Sequence, residues 1–497
     1  MSAAPSFTVA STMTKLKLEA VSCYERDVTL RLPFRFGVIT VTRATQAVIR
    51  ATIALPDGRT SVGVAAESLA AKWFDKSPIF SDAQNLEQLR QSLALAIGLY
   101  RDRGWSTPFG LYSGCYPEQL KRGAELGLLP LVAGYGPALL DRAILDALGR
   151  VSGQSFADMI RGNLPGLAVT ELTPDLDGFE LAGFLAGLSP GCQIAVRHTV
   201  GLLDPIVASD QTAAERVGDG LPETLEEVAR SYRGRYYKLK VGGDVTADLE
   251  RLTRIAAVLD REIGDYRATL DGNEQYDDVD GIAELWQRMC QTPALARLVA
   301  STLFIEQPIK RGAALTHSVA ALARLKPLII DESDGELSSF PTARRLGYSG
   351  VSSKTCKGLY KSILNAARVA KLNAEAGSDR YFLSAEDLTT LAGVSVQQDL
   401  ALVSLLGLGH VERNGHHFID GMSFAPAHEQ AAFAGAHPDL YDRAGGPARL
   451  AIRDGQLRLQ SLDCPGFAVA AAMDFGAMRS MPAAPTSRLL PAFAERG

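Results

Sequence analysis

Leu270-Asp271-Gly272-Asn273 is the stretch that decides the fold, because it ends an apolar, strand-like segment on a carboxylate. The same arrangement returns at Phe304-Ile305-Glu306-Gln307-Pro308 and at Ile329-Ile330-Asp331-Glu332-Ser333. The pair Lys238-Leu239-Lys240 precedes the three stretches, and Lys354 follows them. Carboxylates at strand ends are typical ligands of a hard divalent cation, and lysines beside such a cation are typical of proton transfer. The whole set is therefore interpreted as one active site.

The spacing of these residues predicts a barrel. Six candidate positions are separated by 31, 35, 25, 23 and 32 residues, and they are Lys240, Asp271, Glu306, Asp331, Lys354 and Glu386. A (β/α)8 barrel of about 250 residues has about 31 residues per strand–helix unit. Apolar residues at helical spacing over 248–263 and 362–372 supply the alternating helices. The pattern predicts an α/β fold with a modified (β/α)7–8 TIM-type barrel, and its catalytic groups are expected at the carboxyl ends of the strands.

A purely structural interpretation competes with the catalytic one. Acidic residues that follow strands are often helix caps or turn formers. That interpretation explains any single one of the three carboxylates well. It explains less well why all three occur in register with two lysine positions.

Outside the barrel, the sequence predicts a second, smaller domain. Alternating apolar residues over 16–65 indicate strands with a hairpin at Pro56-Asp57-Gly58, and helical patterns follow over 85–100 and 137–150. We expect the following order along the chain: a disordered lead at 1–15, an α+β capping domain at 16–165 with a long insertion at about 67–135, the barrel at 190–435, a C-terminal segment at 440–477 that returns to the capping domain, and a loose tail at 478–497.

Composition restricts the class of protein. The 497 residues carry a formal net charge of −5, are 46% hydrophobic and include six cysteines. The cysteines form no CxxC pair, which favours reduced thiols in a cytoplasmic protein. No basic run favours a nucleic-acid partner, and no stretch approaches the ~18 uncharged apolar residues of a membrane span. We therefore expect neither a nucleic-acid partner nor a membrane partner.

Five motifs in a fixed order resemble those of the enolase superfamily, and most closely its muconate-lactonising-enzyme-like branch in the mandelate racemase/muconate lactonising enzyme group. They are Tyr237-Lys238-Leu239-Lys240-Val241-Gly242, Asp271-Gly272-Asn273, Ile305-Glu306-Gln307-Pro308, Asp331-Glu332-Ser333 and Ser353-Lys354. The resemblance covers most of the chain, and Pro33-Phe34-Arg35-Phe36-Gly37 is similar to the start of the family's capping domain. It implies an α+β capping domain, built from the N-terminal region and a C-terminal return, over a modified barrel.

The resemblance also implies a cofactor and a reaction. Mg2+, or Mn2+ in its place, would be bound by Asp271, Glu306 and Asp331. The substrate would be a carboxylate that loses its α-proton and forms an enediolate. Asn273 and Glu332 are expected to support the ligands through hydrogen bonds.

Three lysines are expected to carry the proton transfer. Lys238 and Lys240 share one face of a strand because side chains alternate with period two. We assign Lys240 as one acid/base, and Lys238 as the neighbour that lowers its pKa and helps to hold the substrate carboxylate. Lys354 would serve the opposite face of the planar intermediate. The alternatives are a solvated strand edge for the pair and Lys357 in place of Lys354.

Four residues are predicted to contact the substrate. Glu386 falls at the seventh strand end, where Asp387 is its rival and either residue can instead cap the next helix. Arg35 and Phe36 lie in the predicted capping loop, although Arg35 is equally explained by a surface salt bridge. His198 follows the first barrel strand, where a structural hydrogen bond is the competing interpretation.

Three further residues, one aromatic and two histidines, have weaker signals for substrate contact. Trp73 is an outside candidate for substrate contact. His416 and His417 are expected to face solvent.

The predicted function is that of a metal-dependent isomerase, namely a racemase, epimerase or cycloisomerase that acts on a small-molecule carboxylate. Lysines on opposite faces suit proton removal on one side and return on the other. The alternative is a lyase, such as an acid-sugar dehydratase or an o-succinylbenzoate-synthase-like enzyme. A non-catalytic ligand-binding barrel is the second alternative. A homo-oligomer is expected.

Overall fold

The computed structural model describes residues 13–36 and 39–489 of the 497-residue chain. Phe36 and Ile39 belong to strands, but their side chains fall outside this description. The predicted lead at 1–15 and the predicted tail at 478–497 therefore lie partly outside the described residues.

The N-terminal part forms an antiparallel sheet covered by helices. Its strands are β1 (Lys17–Phe36), β2 (Ile39–Ala54) and β3 (Thr60–Ser68). Its helices are α1 (Ala71–Phe74), α2 (Asp82–Arg103), α3 (Pro108–Glu125), α4 (Pro130–Ala133), α5 (Tyr135–Ser152), α6 (Phe156–Arg161) and α7 (Leu181–Gly187). The region predicted as an insertion at 67–135 thus supplies four helices of this domain.

The barrel follows as eight parallel strands in a closed ring. They are β4 (Gln193–Val200), β5 (Tyr236–Lys240), β6 (Arg267–Asp271), β7 (Thr302–Glu306), β8 (Leu328–Ile330), β9 (Gly350–Ser353), β10 (Phe382–Ala385) and β11 (His410–Arg413). The last strand pairs with the first, with Val411 opposite Val196, and this pairing closes the ring. The predicted barrel and capping domain are confirmed, and the barrel has eight strands.

Helices alternate with the strands around the barrel. They are α8 (Leu225–Tyr232), α9 (Val245–Glu262), α10 (Val279–Gln291), α11 (Ala296–Ser301), α12 (Arg311–Ala314), α13 (Ala320–Ala323), α14 (Ser339–Arg345), α15 (Leu359–Ala376), α16 (Val394–Leu405), α17 (Gly415–Phe418) and α18 (Ala427–Ala436). Side chains that accept hydrogen bonds from the first helical N–H groups, such as Asp244 before α9 and Asp278 before α10, fix where the helices begin. Short 3-10 helices occur at Pro174–Leu176, Ala208–Asp210, Pro293–Leu295, Thr355–Lys357, Gln460–Leu462 and Phe475–Ala477.

The C-terminal segment contacts both domains. Its strands are β12 (Tyr441–Asp442), β13 (Arg449–Leu450), β14 (Gln456–Arg458) and β15 (Arg479–Ser480). β14 pairs antiparallel with β4 of the barrel. Further on, the Phe467 ring stacks on Phe156 of α6 at 3.8 Å between centroids. The segment therefore joins the barrel to the capping domain.

The expected loose tail needs a correction over its described part. β15 pairs antiparallel with β1, and the Arg479 guanidinium contacts the buried Glu25 carboxylate at 2.9 Å. The side-chain amide of Gln91 donates hydrogen bonds to the carbonyls of Pro485 and Ser487. Composition suggested a loose end, but these long-range partners hold the segment against the sheet.

Two further sequence expectations can be compared with the structure. All six cysteines are free thiols. Within the described part of the chain, no helix has the length and apolarity needed to cross a membrane.

The capping domain depends on a close approach between α5 and β3. A Cβ placed on Gly63 of β3 would lie 2.1 Å from the carbonyl oxygen of Ala143 and 2.2 Å from the backbone nitrogen of Ala147. Both of those atoms belong to the buried helix α5. The absence of a side chain at Gly63 therefore sets the distance between helix and sheet.

We expect Gly63→Ala to destabilise the protein by at least about 2 kcal/mol, because backbone atoms cannot move aside as a flexible side chain can. Chemical denaturation monitored by circular dichroism measures the change. Gly98→Ala is the matched control, since a Cβ on Gly98 of α2 meets nothing within 4 Å. Equal stability of Gly63→Ala and wild type would contradict the close packing described above.

Candidate active site

Three carboxylates lie on three neighbouring strands of the barrel. Asp271 ends β6, Glu306 ends β7 and Asp331 directly follows β8, and each is at most 1% exposed. The strand register aligns Lys240, Asp271 and Glu306 as successive partners across β5, β6 and β7. The structure therefore brings the predicted cation ligands to one arc of the barrel mouth.

The two lysines assigned to proton transfer bracket this arc. Lys240 ends β5, and Lys354 directly follows β9. β5 and β9 are four strands apart in the ring of eight, counted in either direction, so they are diametrically opposed. The Lys240 ammonium contacts Asp271 at 2.5 Å, and the Lys354 ammonium contacts Asp331 at 2.6 Å.

The ammonium group of Lys238 has different partners from those expected. Its ammonium lies 2.8–2.9 Å from the carboxylates of Asp271, Glu306, Glu386 and Glu412, and the residue is 1% exposed. Burial opposes its charge, but the four carboxylates outweigh burial and raise the pKa of Lys238 well above its ordinary value. The sequence suggested that Lys238 helps to hold the substrate carboxylate, but its ammonium is fully engaged by protein carboxylates.

Two charged residues of this network were not predicted. Glu412 is the second-last residue of the eighth strand, β11, and accepts hydrogen bonds from the Lys238 ammonium, the Thr199 hydroxyl and the Asp387 backbone N–H. Arg197, on β4 and fully buried, donates to the Glu386 carboxylate and to the Ala385 carbonyl. The strand-end rule that found the other acids also applies to Glu412, which lies 26 residues after Glu386.

The acidic arc formed by Asp271, Glu306 and Asp331 is the candidate site for a divalent cation. Within residues 13–36 and 39–489, no three carboxylate, imidazole or thiol groups already stand in an arrangement that holds a metal ion. The ammonium groups of Lys238, Lys240 and Lys354 contact the carboxylates directly.

The donor set nevertheless fits such an ion. Both carboxyl oxygens of Glu306 are buried and accept no hydrogen bond from any described residue, although the Lys238 ammonium lies 2.8 Å from one of them. Burial and the neighbouring carboxylates of Asp271 and Glu386 raise the pKa of Glu306 well above its ordinary value. Buried carboxylate oxygens that accept no hydrogen bond are the kind of ligand that Mg2+ prefers.

Asp331 is held in its charged form. Burial favours protonation, but the ammonium groups of Lys354 and Lys357 outweigh burial and keep the pKa of Asp331 below its ordinary value. Lys357, the sequence rival of Lys354, is buried, donates to the Ser352 hydroxyl at 2.6 Å and lies 3.0 Å from the Asp334 carboxylate. Lys357 thus lies behind Asp331 rather than across the cavity.

A segment of the predicted insertion reaches this site, and among its residues the sequence suggested only Trp73. The Lys76 ammonium donates to the Glu332 carboxylate at 3.0 Å and to the Asn273 carbonyl at 2.9 Å. The Asn273 side chain in turn donates to the same Glu332 oxygen at 3.1 Å. The Arg311 guanidinium fixes the same segment by donating to the carbonyls of Trp73 and Phe74.

Trp73 therefore has a defined place. Its ring centroid lies 4.3 Å from the Lys354 ammonium. Such a contact favours the charged lysine and restricts its side-chain position. No sequence pattern links Trp73 to a residue that lies 281 positions away.

A cavity of about 620 Å³ lies between the capping domain and the barrel mouth. Its barrel side is lined by Lys240, Asn273, Lys354, Asp387, Leu388, Thr389, Glu412 and Asn414. Its capping side includes Val28, Thr29, Leu30, Phe34 and Val41 on the β1–β2 hairpin, together with Trp73. Both candidate acid/base lysines thus border one enclosed space of ligand size.

Some of the residues predicted to contact the substrate line the cavity and others do not. Among the described residues, those that line the cavity include Asp387 but not Glu386, which is 1% exposed and paired with Arg197 and Lys238. Arg35 is half-buried at the end of β1 and does not line the cavity either. Phe36 is the next residue, and its side chain lies outside the description.

The histidines form a cluster away from the cavity. His198 Nδ1 lies 3.4 Å from His416 Nε2, and the His198 and His417 rings meet edge to face. Burial, followed by the neighbouring imidazole of His416, lowers the pKa of His198 well below its ordinary value. His417 is 3% exposed, so the expectation that it faces solvent is wrong.

Replacing Lys238 should reveal how much the charge network depends on it. We expect Lys238→Met to lower the free energy of unfolding by about 3–5 kcal/mol without added metal, because four buried carboxylates lose their shared counter-ion. The loss should be larger at pH 8 than at pH 5, since protonation relieves the uncompensated charge. Urea denaturation at the two pH values measures both effects.

Lys121→Met is the control, since the Lys121 side chain is 69% exposed on α3, and its stability should change by at most about 0.5 kcal/mol. A Lys238→Met protein as stable as this control at pH 8 would contradict the assigned role.

Comparison with known proteins connects this architecture to a family. No protein-family model matches the sequence, and the search of curated proteins found no match. The structure is similar to that of an enolase from Bradyrhizobium complexed with magnesium and mandelic acid, with a TM-score of 0.56 and 18% identity over 94% of this chain and 98% of that one.

Two further structures are similar over their whole lengths. A member of the enolase superfamily from Roseovarius nubinhibens ISM has a TM-score of 0.55 and 18% identity over 94% of this chain and 99% of that one. A dipeptide epimerase from Enterococcus faecalis V583, complexed with Mg and L-Leu-L-Tyr, has a TM-score of 0.55 and 14% identity over 91% of this chain and 99% of that one. The chain thus has the fold of the enolase superfamily, as its sequence motifs indicate.

Proposed function

We propose that this protein is a Mg2+-dependent enzyme that removes and returns the proton α to a substrate carboxylate, as a racemase, epimerase or cycloisomerase. The observation that carries the proposal is the position of Lys240 and Lys354. They arise from opposite strands of the ring, and both border the same cavity. A planar carbanion between them would present one face to each amine.

The supply of positive charge supports the same reaction. A proton α to a carboxylate is weakly acidic because its removal adds a second negative charge to a group that already carries one, which gives an enediolate dianion. When bound by Asp271, Glu306 and Asp331, Mg2+ would supply fixed positive charge where this negative charge develops. Mn2+ also takes such oxygen ligands. The buried oxygens of Glu306, which accept no hydrogen bond from the described residues, support this assignment.

Each lysine has to exchange one proton with the substrate. A lysine that accepts a proton must begin neutral, whereas its reference pKa is about 10.4. Burial pulls the pKa of Lys354 down, but the Asp331 carboxylate outweighs burial and raises it above its ordinary value. Lys354 is thus held as an ammonium in this arrangement, and it is suited to donate a proton. Lys240, opposite, is the partner that we assign to accept one.

The capping domain encloses the reacting groups. Trp73 covers Lys354, and the β1–β2 hairpin closes the cavity above Lys240. Exclusion of water strengthens electrostatic interactions inside and protects a carbanion from unwanted protonation. The segment that carries Trp73 is held to the barrel by the ion pair of Lys76 with Glu332 and by the hydrogen bond from Arg311 to the Phe74 carbonyl.

Replacement of either lysine tests the proton transfer. We expect Lys240→Ala and Lys354→Ala to lower turnover by about 10²–10⁴-fold, because each removes one acid/base group. A library of acid sugars, dipeptides and N-acylamino acids with Mg2+ in D2O identifies a substrate, and NMR then follows α-deuterium incorporation. The Lys354→Ala variant should still exchange the α-proton of the enantiomer that faces Lys240.

Lys121→Ala is the control for lysine removal at a distant surface, and it should exchange deuterium at the wild-type rate. Full activity in Lys240→Ala or Lys354→Ala would refute the role of that lysine. Loss of water from the substrate, in place of exchange on both faces, would favour the lyase alternative.

Removal of a proposed ligand tests the cation site separately. We expect Asp331→Asn and Glu306→Gln to weaken Mg2+ binding by more than about 10-fold, because each removes a charged oxygen ligand. Isothermal titration calorimetry with Mg2+ alone measures this directly. Lys354→Ala should retain Mg2+ binding, and Glu118→Gln on the exposed face of α3 is the control for loss of one carboxylate. Unchanged Mg2+ affinity in both ligand variants would disprove the site.

A further inference from the structure

Asn414 has a buried side-chain oxygen that lacks a hydrogen-bond partner among the described residues, at the border of the cavity. It directly follows β11, is 3% exposed and lines the cavity. Its Oδ1 atom is buried and has no hydrogen-bond partner among the described residues. A buried carboxamide oxygen is normally satisfied, so this oxygen calls for a ligand that donates a hydrogen bond.

A role for this side chain in local structure is excluded. Asn414 occupies the N-cap position of α17, where an asparagine often accepts a bond from the helix, but its side chain makes no such bond. Its backbone is fixed independently, because its N–H donates to the Asp387 carboxylate at 2.9 Å and its carbonyl accepts from the N–H groups of His417 and Phe418.

The neighbouring acids are already satisfied. Asp387 accepts from the backbone N–H groups of Thr390 and Asn414 at 3.0 and 2.9 Å. Glu412 accepts from Lys238 and Thr199 at 2.9 and 2.6 Å. The neutral amide of Asn414 is an unused acceptor on this side of the cavity, and it suits a neutral donor better than a substrate ammonium.

Topology says which part of the substrate would meet this amide. In the ring of eight strands, β11 is four strands from β7 and two strands from each of β5 and β9. Asn414 therefore lies opposite Glu306 and midway between the strands that carry the two lysines. A substrate carboxylate held on the Glu306 side, with its α-carbon between the lysines, would direct a substituent of that carbon towards Asn414.

We infer that Asn414 accepts a hydrogen bond from a donor on the substrate α-carbon and thereby selects 2-hydroxy acids or 2-acylamino acids. The inference rests on the proposed function for the position of the carboxylate. The remaining substituent would lie against the apolar hairpin wall of Val28, Leu30, Phe34 and Val41. The probe acids therefore carry an isobutyl group.

Two pairs of probes test this, each with the Mg2+-loaded full-length protein. One pair is N-acetyl-leucine and its N-methyl derivative, and the other is 2-hydroxy-4-methylpentanoate and its O-methyl derivative. Calorimetry gives the Kd of each probe, and NMR in D2O gives α-proton exchange. In at least one pair the donor-bearing acid should bind about 10–100-fold tighter than the methylated one, and that pair identifies the donor as N–H or O–H.

Three variants assign the preference to one side chain. Asn414→Leu should bring the ratio of the two Kd values close to one, mainly by weakening the donor-bearing acid. Asn414→Asp keeps an acceptor in place and should keep the preference. Thr29→Val removes a different polar group from the cavity wall and should leave the ratio as in wild type. Comparing ratios across variants cancels the extra volume of the methyl group.

The outcomes separate this inference from the proposed function. A preference that disappears in Asn414→Leu supports the inference even if no probe exchanges its α-proton, and that lack of exchange would count against the proposed function alone. Exchange without any preference in either pair would overturn the inference and leave the function standing. A preference that survives in Asn414→Leu, or that is lost in Thr29→Val, also overturns it.

Discussion

The contact of one ammonium with four carboxylates is the constraint on which this structure depends. Lys238 lies at the centre of the barrel, and its partners come from β6, β7, β10 and β11. Four acids at this depth would repel one another strongly and could not all remain charged without a counter-ion. Lys238 therefore allows the barrel mouth to hold a concentration of carboxylates that chemistry can use.

Two lysines that are only two residues apart have different roles in this arrangement. Because side chains alternate along a strand, Lys238 and Lys240 point to the same side of β5, yet they lie at different depths along it. The deeper lysine, Lys238, neutralises the buried carboxylates around it. The shallower lysine borders the cavity, where a substrate can reach it. One strand thus provides both the counter-ion of the buried carboxylates and a candidate acid/base.

The sequence predicted the parts of the site whose signals are local. Asp271, Glu306 and Asp331 each end an apolar stretch, and their spacing follows the strand–helix period, so the barrel and the acidic arc could be predicted without a structure. The positions of Trp73 and Lys76 could not, because they depend on contacts with Lys354 and Glu332 across more than 250 residues. Asn414 could not be singled out either, since nothing in the sequence shows that its side-chain oxygen lacks a partner.

Charge balance links the two lysines at the cavity to the proposed cation. The carboxylates in direct contact with the network are Asp271, Glu306, Asp331, Asp334, Glu386 and Glu412, and their cationic partners are Lys238, Lys240, Lys354, Lys357, Lys361 and Arg197. The two sets are equal in number when all are charged. A lysine that acts as a base must first become neutral, which leaves one uncompensated negative charge in a buried site. A divalent cation that enters with a substrate carboxylate adds one net positive charge. The free-energy cost of deprotonating the lysine would therefore be lowest when cation and substrate are both bound. Proton transfer would then be restricted to the site that holds both.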